Sequence, residues 1–176
     1  MTQATVAVVK DDDPYELMER ALNLINANKY VKPDLQVFIK PNLVRVPLDS
    51  PYAKVKGAYV KTMAPEGDVI RRDTLEALLK LLNKWGIKDI TIGEASGGCE
   101  TTVAYKALAL YELAEEYGAK LIDLNYTDSV KVLVSNKLIL DYVWVPKVLQ
   151  ESDLLIDLTT LKVHGRTAVT LCLKNW

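Results

Sequence analysis

The spacing of apolar positions changes regularly along the chain, and each change marks an element. Thr5-Val6-Ala7-Val8-Val9 is a short β-branched run that reads as a first strand. Behind it, Asp13-Pro14-Tyr15-Glu16 has the order of an N-cap, an N1 proline and an N3 glutamate, so a helix should start there. Leu17, Met18, Ala21, Leu22 and Ile25 recur at helical spacing, and 35–39 forms the next strand. Leu75, Leu78, Leu79 and Leu82 share one helical face, with Gly86 placed to end that helix after Trp85 and Ile90-Thr91-Ile92 as the following strand. A third helix carries Val103, Ala107, Leu110, Ala114 and Tyr117, stops at Gly118 and leads into a strand over 120–124.

After Asn125 the pattern becomes two β-rich runs, 130–134 and 138–145, separated by Ser135-Asn136-Lys137, which predicts a hairpin or an antiparallel edge. Pro146 opens a short helix over 147–150, and 154–158 is a strongly apolar strand. Alternation of this kind predicts an α/β fold with a mostly parallel, doubly wound, three-layer sheet and helices on both faces. Ligands of such sheets bind beyond the C-terminal ends of the strands. The expected organisation is a single α/β domain over 1–176. One stretch breaks its rhythm: 41–67 holds four prolines with Arg45, Lys54, Lys56 and Lys61, far beyond the usual connection of about 4–6 residues. It reads as a mobile loop or oligomer arm, with room for a small hairpin at 55–60.

Composition narrows the class of protein. Of 176 residues 49% are hydrophobic, enough for a core without disulfide staples. The 22 Lys and Arg nearly balance 23 Asp and Glu, leaving a net charge of −1, which argues against a general nucleic-acid surface or a polybasic membrane anchor. Cys99 and Cys172 are far apart and form no CxxC motif, and no leader precedes the first strand pattern, so a reducing cytoplasm is the expected home. No apolar run reaches the roughly 20 residues needed to cross a bilayer.

The strand-end rule then selects chemistry. The strand over 35–39 delivers Lys40-Pro41-Asn42, a cation and an amide, and the next delivers Gly93-Glu94-Ala95-Ser96-Gly97-Gly98, a turn of small residues ahead of a helix. This turn is neither a dinucleotide fingerprint nor a P-loop nor a nucleophile elbow, and a plain strand-to-helix turn accounts for it equally well. The last apolar strand runs into Lys162-Val163-His164-Gly165-Arg166-Thr167 and then Leu173-Lys174-Asn175. In an extended segment Lys162 and His164 point the same way, which suits an anion. Neighbouring cations would favour a neutral imidazole, able to act as a base or a metal ligand. Glu94 is the best exposed candidate for a general base, whereas Asp123 and Asp157 lie inside strand patterns and read as hydrogen-bonded edge residues. Zinc by local Cys and His spacing is poorly supported.

Phe38-Ile39-Lys40-Pro41-Asn42, Ile92-Gly93-Glu94, Leu161-Lys162-Val163-His164 and the run from Val169 to Asn175 together resemble the domain of unknown function 362 family, in order and spacing and over nearly the whole chain. The resemblance implies a prokaryotic α/β protein, some of whose relatives carry a ferredoxin-type cysteine module. This chain has no such module, and its two distant cysteines cannot supply the four thiolates of an ordinary cluster, so no iron–sulfur cluster is expected in it. It also stops at Trp176, where relatives commonly continue, and is expected to be either a fragment or a minimal form.

The leading expectation is an enzyme domain that binds a small anion, a carboxylate or phosphate, through Lys40, Asn42, Ser96, Gly97, Gly98, Lys162, Thr167, Lys174 and Asn175, with His164 or Glu94 moving a proton. Two alternatives stay open: a non-catalytic module supporting a ferredoxin-like partner, and a metal-dependent transformation of a hydroxy acid with His164 and Glu94 as ligands. A homodimer is compatible with all three.

Overall fold

The computed structural model describes residues 4–47, 63–64 and 68–176. Helix α1 spans Pro14–Leu24, and its start is fixed as the sequence implies: the Asp13 carboxylate accepts the N–H groups of Tyr15 and Glu16 at 2.8 and 2.9 Å. An Asp13→Ala variant is expected to lose about 1 kcal/mol, the usual worth of such a cap, read by denaturant titration.

Strand β1 (Gln36–Pro41) is followed by β2 (Val46–Pro47) and β3 (Met63–Ala64), which pair with each other in parallel. Helix α2 (Arg72–Lys84), β4 (Asp89–Glu94), α3 (Thr101–Ala107), α4 (Leu110–Tyr117) and β5 (Lys120–Asp123) come next. The hairpin β6 (Ser129–Leu133) and β7 (Tyr142–Pro146), helix α5 (Lys147–Glu151) and β8 (Leu154–Leu158) complete the main body. A small hairpin, β9 (Lys162–His164) with β10 (Ala168–Thr170), and the turn α6 (Cys172–Asn175) end the chain.

The main sheet has four strands in the order β5-β4-β1-β8, all parallel, with helices flanking it. The β6–β7 hairpin is antiparallel, as its two β-rich runs imply, but forms a sheet of its own. On one face of the main sheet Val37, Ile39, Ile90 and Ile92 pack with Leu75, Leu78, Leu79 and Leu82 of α2 and with Leu110 and Leu113 of α4. α1 lies on α2. Strand β8 returns to the far side of β1, and α5, on the connection leading to it, packs against β1. Gly86 and Gly118 both adopt positive φ (87° and 66°) where their helices stop.

Two expectations fail. Residues 5–9 form no strand: Val6 and Val8 are 81% and 92% exposed, because a β-branched run becomes a strand only when a neighbour supplies its hydrogen bonds. The single helix expected from Val103 to Tyr117 is two, broken at Ala109, whose φ is 50°. The break turns Tyr105 inward, with its hydroxyl donating to Ile122 O at 2.7 Å, while Leu110 and Leu113 reach the core. The expected hairpin at 55–60, with Lys54, Lys56 and Lys61, lies outside the described residues. No helix among the described residues is long and apolar enough to cross a membrane.

Candidate functional site

β1 and β4 run side by side and bring Lys40 and Glu94 to the same end of the sheet. There Lys40 Nζ donates to Glu94 Oε1 at 2.5 Å, and both residues are buried. Glu94 accepts two further bonds, from Leu43 N to Oε2 and from Ala95 N to Oε1, each 2.8 Å. A carboxylate taken out of water needs such partners, and here they also join the segment after β1 to the end of β4. The same seam continues outward. Ser96 Oγ donates to Leu43 O, Gly98 N to Val44 O at 2.9 Å, and Ser96 N to Thr101 Oγ1 at 3.1 Å. The small-residue turn thus directs the amides of Ser96 and Gly98 at the protein itself; Gly97 is exposed and open.

Asn42 is equally committed. Its Nδ2 donates to Asp68 O at 3.0 Å, its Oδ1 accepts from Thr160 N at 2.8 Å, and its backbone joins Leu158 O and Ile70 N. Lys162 donates to Asp68 Oδ1 at 2.6 Å and to Asp68 O, with Arg45 Nε 3.6 Å from Asp68 Oδ2. His164 lies on the same face of β9 as Lys162, but its Nδ1 accepts the N–H groups of Arg166 and Thr167 at 3.2 and 3.3 Å, closing the β9–β10 turn. Thr167 donates its hydroxyl to Val169 O at 3.0 Å within that hairpin.

Asp157 pairs in register with Lys40, so the two side chains share a face of the sheet. Its Oδ1 accepts from Asn175 Nδ2 at 2.8 Å, and its Oδ2 is enclosed without a hydrogen-bond partner. Burial pushes this carboxyl above the ordinary range, while Asn175 and Lys40 pull it back. Its place inside a strand pattern makes Asp157 read, from sequence, as a hydrogen-bonded edge residue. The available signal was an acid inside the apolar run Leu154-Leu155-Ile156-Asp157-Leu158.

A cleft of about 320 Å³ lies beyond the C-terminal ends of β1 and β4, walled by Lys40, Glu94, Ala95, Leu149, Lys174, Asn175 and Trp176, with Asp157 behind Asn175 and not in its wall. Four of the sequence candidates, Lys40, Glu94, Lys174 and Asn175, line it, whereas Asn42, Lys162, Thr167 and His164 do not. Lys174 is exposed and, among the described residues, makes no ion pair. A second cleft, of about 280 Å³, lies at the opposite edge beside Gln36, Asp89 and Lys120. There Lys120 and Asp89 form an exposed pair at 2.9 Å, and the strand-end rule favours the first cleft. Among the described residues no three of His, Cys, Asp and Glu gather so as to hold a metal ion.

Fold and site together define an α/β protein with a parallel sheet and a charged cleft at its carboxyl edge. Residues 37–176 match the family described as Domain of unknown function (DUF362), and the chain belongs to that family. No curated protein and no solved structure matches it.

Proposed function

We propose that this chain binds a small anionic molecule, a carboxylate or a phosphate, in the cleft at the carboxyl edge of its sheet. The observation that supports this most is the juxtaposition of Lys174, an ammonium with no ion pair among the described residues, with Asn175, whose amide is held by Asp157 and Lys40 O at 2.8 and 3.5 Å. Lys40 is already neutralised by Glu94, so Lys174 supplies the cation that a ligand would meet. Asp157 acts in this reading through Asn175, whose amide it holds from behind the cleft wall, while Glu94 is occupied by three donors and His164 closes a turn.

Thermal-shift and calorimetric titrations with inorganic phosphate and a panel of small carboxylates test this. A ligand at about 100 times its Kd should add about 2.7 kcal/mol of stability. Lys174→Ala is expected to weaken binding about tenfold without lowering the melting temperature, since a hydrogen bond to a charged group is worth about 1.5–3 kcal/mol. Binding should tighten as pH falls and Asp157 takes up its proton, and Asp157→Asn should flatten that dependence. The sign for stability follows from the same shift. The folded chain holds this proton more tightly than the unfolded one, so the stabilisation by Asp157 is present at low pH and lost as pH rises through its folded value. No response to any anion, or unchanged affinity in Lys174→Ala, would defeat the proposal.

A further inference from the structure

We infer that the β6–β7 hairpin is the surface through which two copies of this chain join. The register sets Leu133 opposite Tyr142 and Lys131 opposite Trp144, and all four side chains are exposed on one face of the ribbon. The tip between the strands adds Leu138, Ile139 and Leu140. Exposure of the six apolar residues runs from 42% at Tyr142 to 99% at Leu138. With whole aromatic side chains near 150–250 Å² and the four aliphatic ones somewhat smaller, that leaves on the order of 600–700 Å² of apolar surface in water. Monomers rarely carry so much in one place, the largest patch being about 300–600 Å². The area also comes close to the roughly 800 Å² per partner of a standard interface.

A two-stranded hairpin outside any larger sheet is marginal in water and gains from a cover on its apolar face. The other face already turns Val130, Val132, Val143 and Val145 partly out of water. A second copy fits the open face because the charges around it balance. Lys137 is already paired with Asp141 of its own chain and Lys131 sits over its own Tyr142 ring, so a two-fold arrangement brings two identical patches together without a cluster of unmatched like charges. Lys131 lies 3.8 Å over the Tyr142 ring and Tyr142 packs edge-on to Trp144, which holds the aromatic face in one shape before contact.

Sedimentation equilibrium of the 176-residue chain decides the matter. A dimer is expected, with its dissociation constant raised at least tenfold by Leu138→Lys and by Trp144→Lys. Val8→Lys, at an equally exposed apolar residue elsewhere, should leave it unchanged. Circular dichroism melts of the variants confirm that the monomer still folds, as expected for side chains that contact mainly solvent. A monomer at all concentrations, which would leave the patch to a different protein, overturns the inference. So does a dimer indifferent to both hairpin substitutions.

Discussion

Glu94→Ala is expected to cost about 3–5 kcal/mol, the usual consequence of removing one member of a buried ion pair. For a chain of this size that corresponds to a fall in melting temperature of about 6–20 °C. The physical reason is that three groups lose their partner at once. Lys40 Nζ, 2.5 Å from the carboxylate and with its side chain only 10% exposed, would be left charged and enclosed. The amides of Leu43 and Ala95 would lose the acceptor that fixes the turns after β1 and β4. Glu94→Gln should fall between wild type and alanine, because one amide oxygen can still accept while the NH₂ group faces donors. A Lys40→Met background should lessen the cost of Glu94→Ala, since no ammonium then remains to be stranded. That coupling, measured as a double-mutant cycle by denaturant titration, is expected to exceed about 1 kcal/mol. If Glu94→Ala cost less than about 1 kcal/mol, well below the usual range, the pair would not be holding the sheet edge.

This clamp also shows where sequence reasoning stops. The order of elements was legible because each helix writes its buried stripe at short range: Leu75, Leu78, Leu79 and Leu82 mark α2 without any knowledge of the sheet. Strand-end logic likewise directed attention to Lys40, Glu94, Lys174 and Asn175, which line one cleft. What it could not supply was who neutralises whom. Lys40 and Glu94 are 54 positions apart and Lys162 and Asp68 are 94 apart, so each pairing depends on register and crossover geometry that no local pattern encodes. Glu94 therefore read as an exposed base and proves to be an enclosed holder. Asp157 read as structural, yet only the register of β8 on β1 reveals it beside Lys40. Residues 5–9 fail for the complementary reason: their β-branched content satisfies a strand's local preference, but a strand is completed by a neighbour. The break at Ala109 had no glycine or proline to announce it.

The second large effect is expected at Gly93, where no backbone strain is involved, since positive φ among the described glycines occurs at Gly86 and Gly118. An alanine Cβ here would lie 2.6 Å from Phe38 Cζ, 2.9 Å from Cε2 and 3.1 Å from Ile122 Cγ1. Phe38 is fully buried, with Trp176 tilted against it at 6.3 Å between ring centres, so its ring can retreat only by moving a wall of the cleft. Overpacking of a filled core generally costs about 1–3 kcal/mol, and contacts this short place Gly93→Ala at the upper end of that range. The expected fall in melting temperature is about 6–10 °C. Phe38→Leu alone should also destabilise, by leaving a void. Combined with Gly93→Ala it should do less harm than the two costs added, because the smaller side chain vacates the space the new methyl enters. Trp176, displaced in Gly93→Ala and relieved in the double variant, links this packing test to the cleft: anion affinity should fall in the single variant and recover in part in the double. A Gly93→Ala protein as stable as wild type would show that the Phe38 ring has room, and would remove the reason given for glycine at this position.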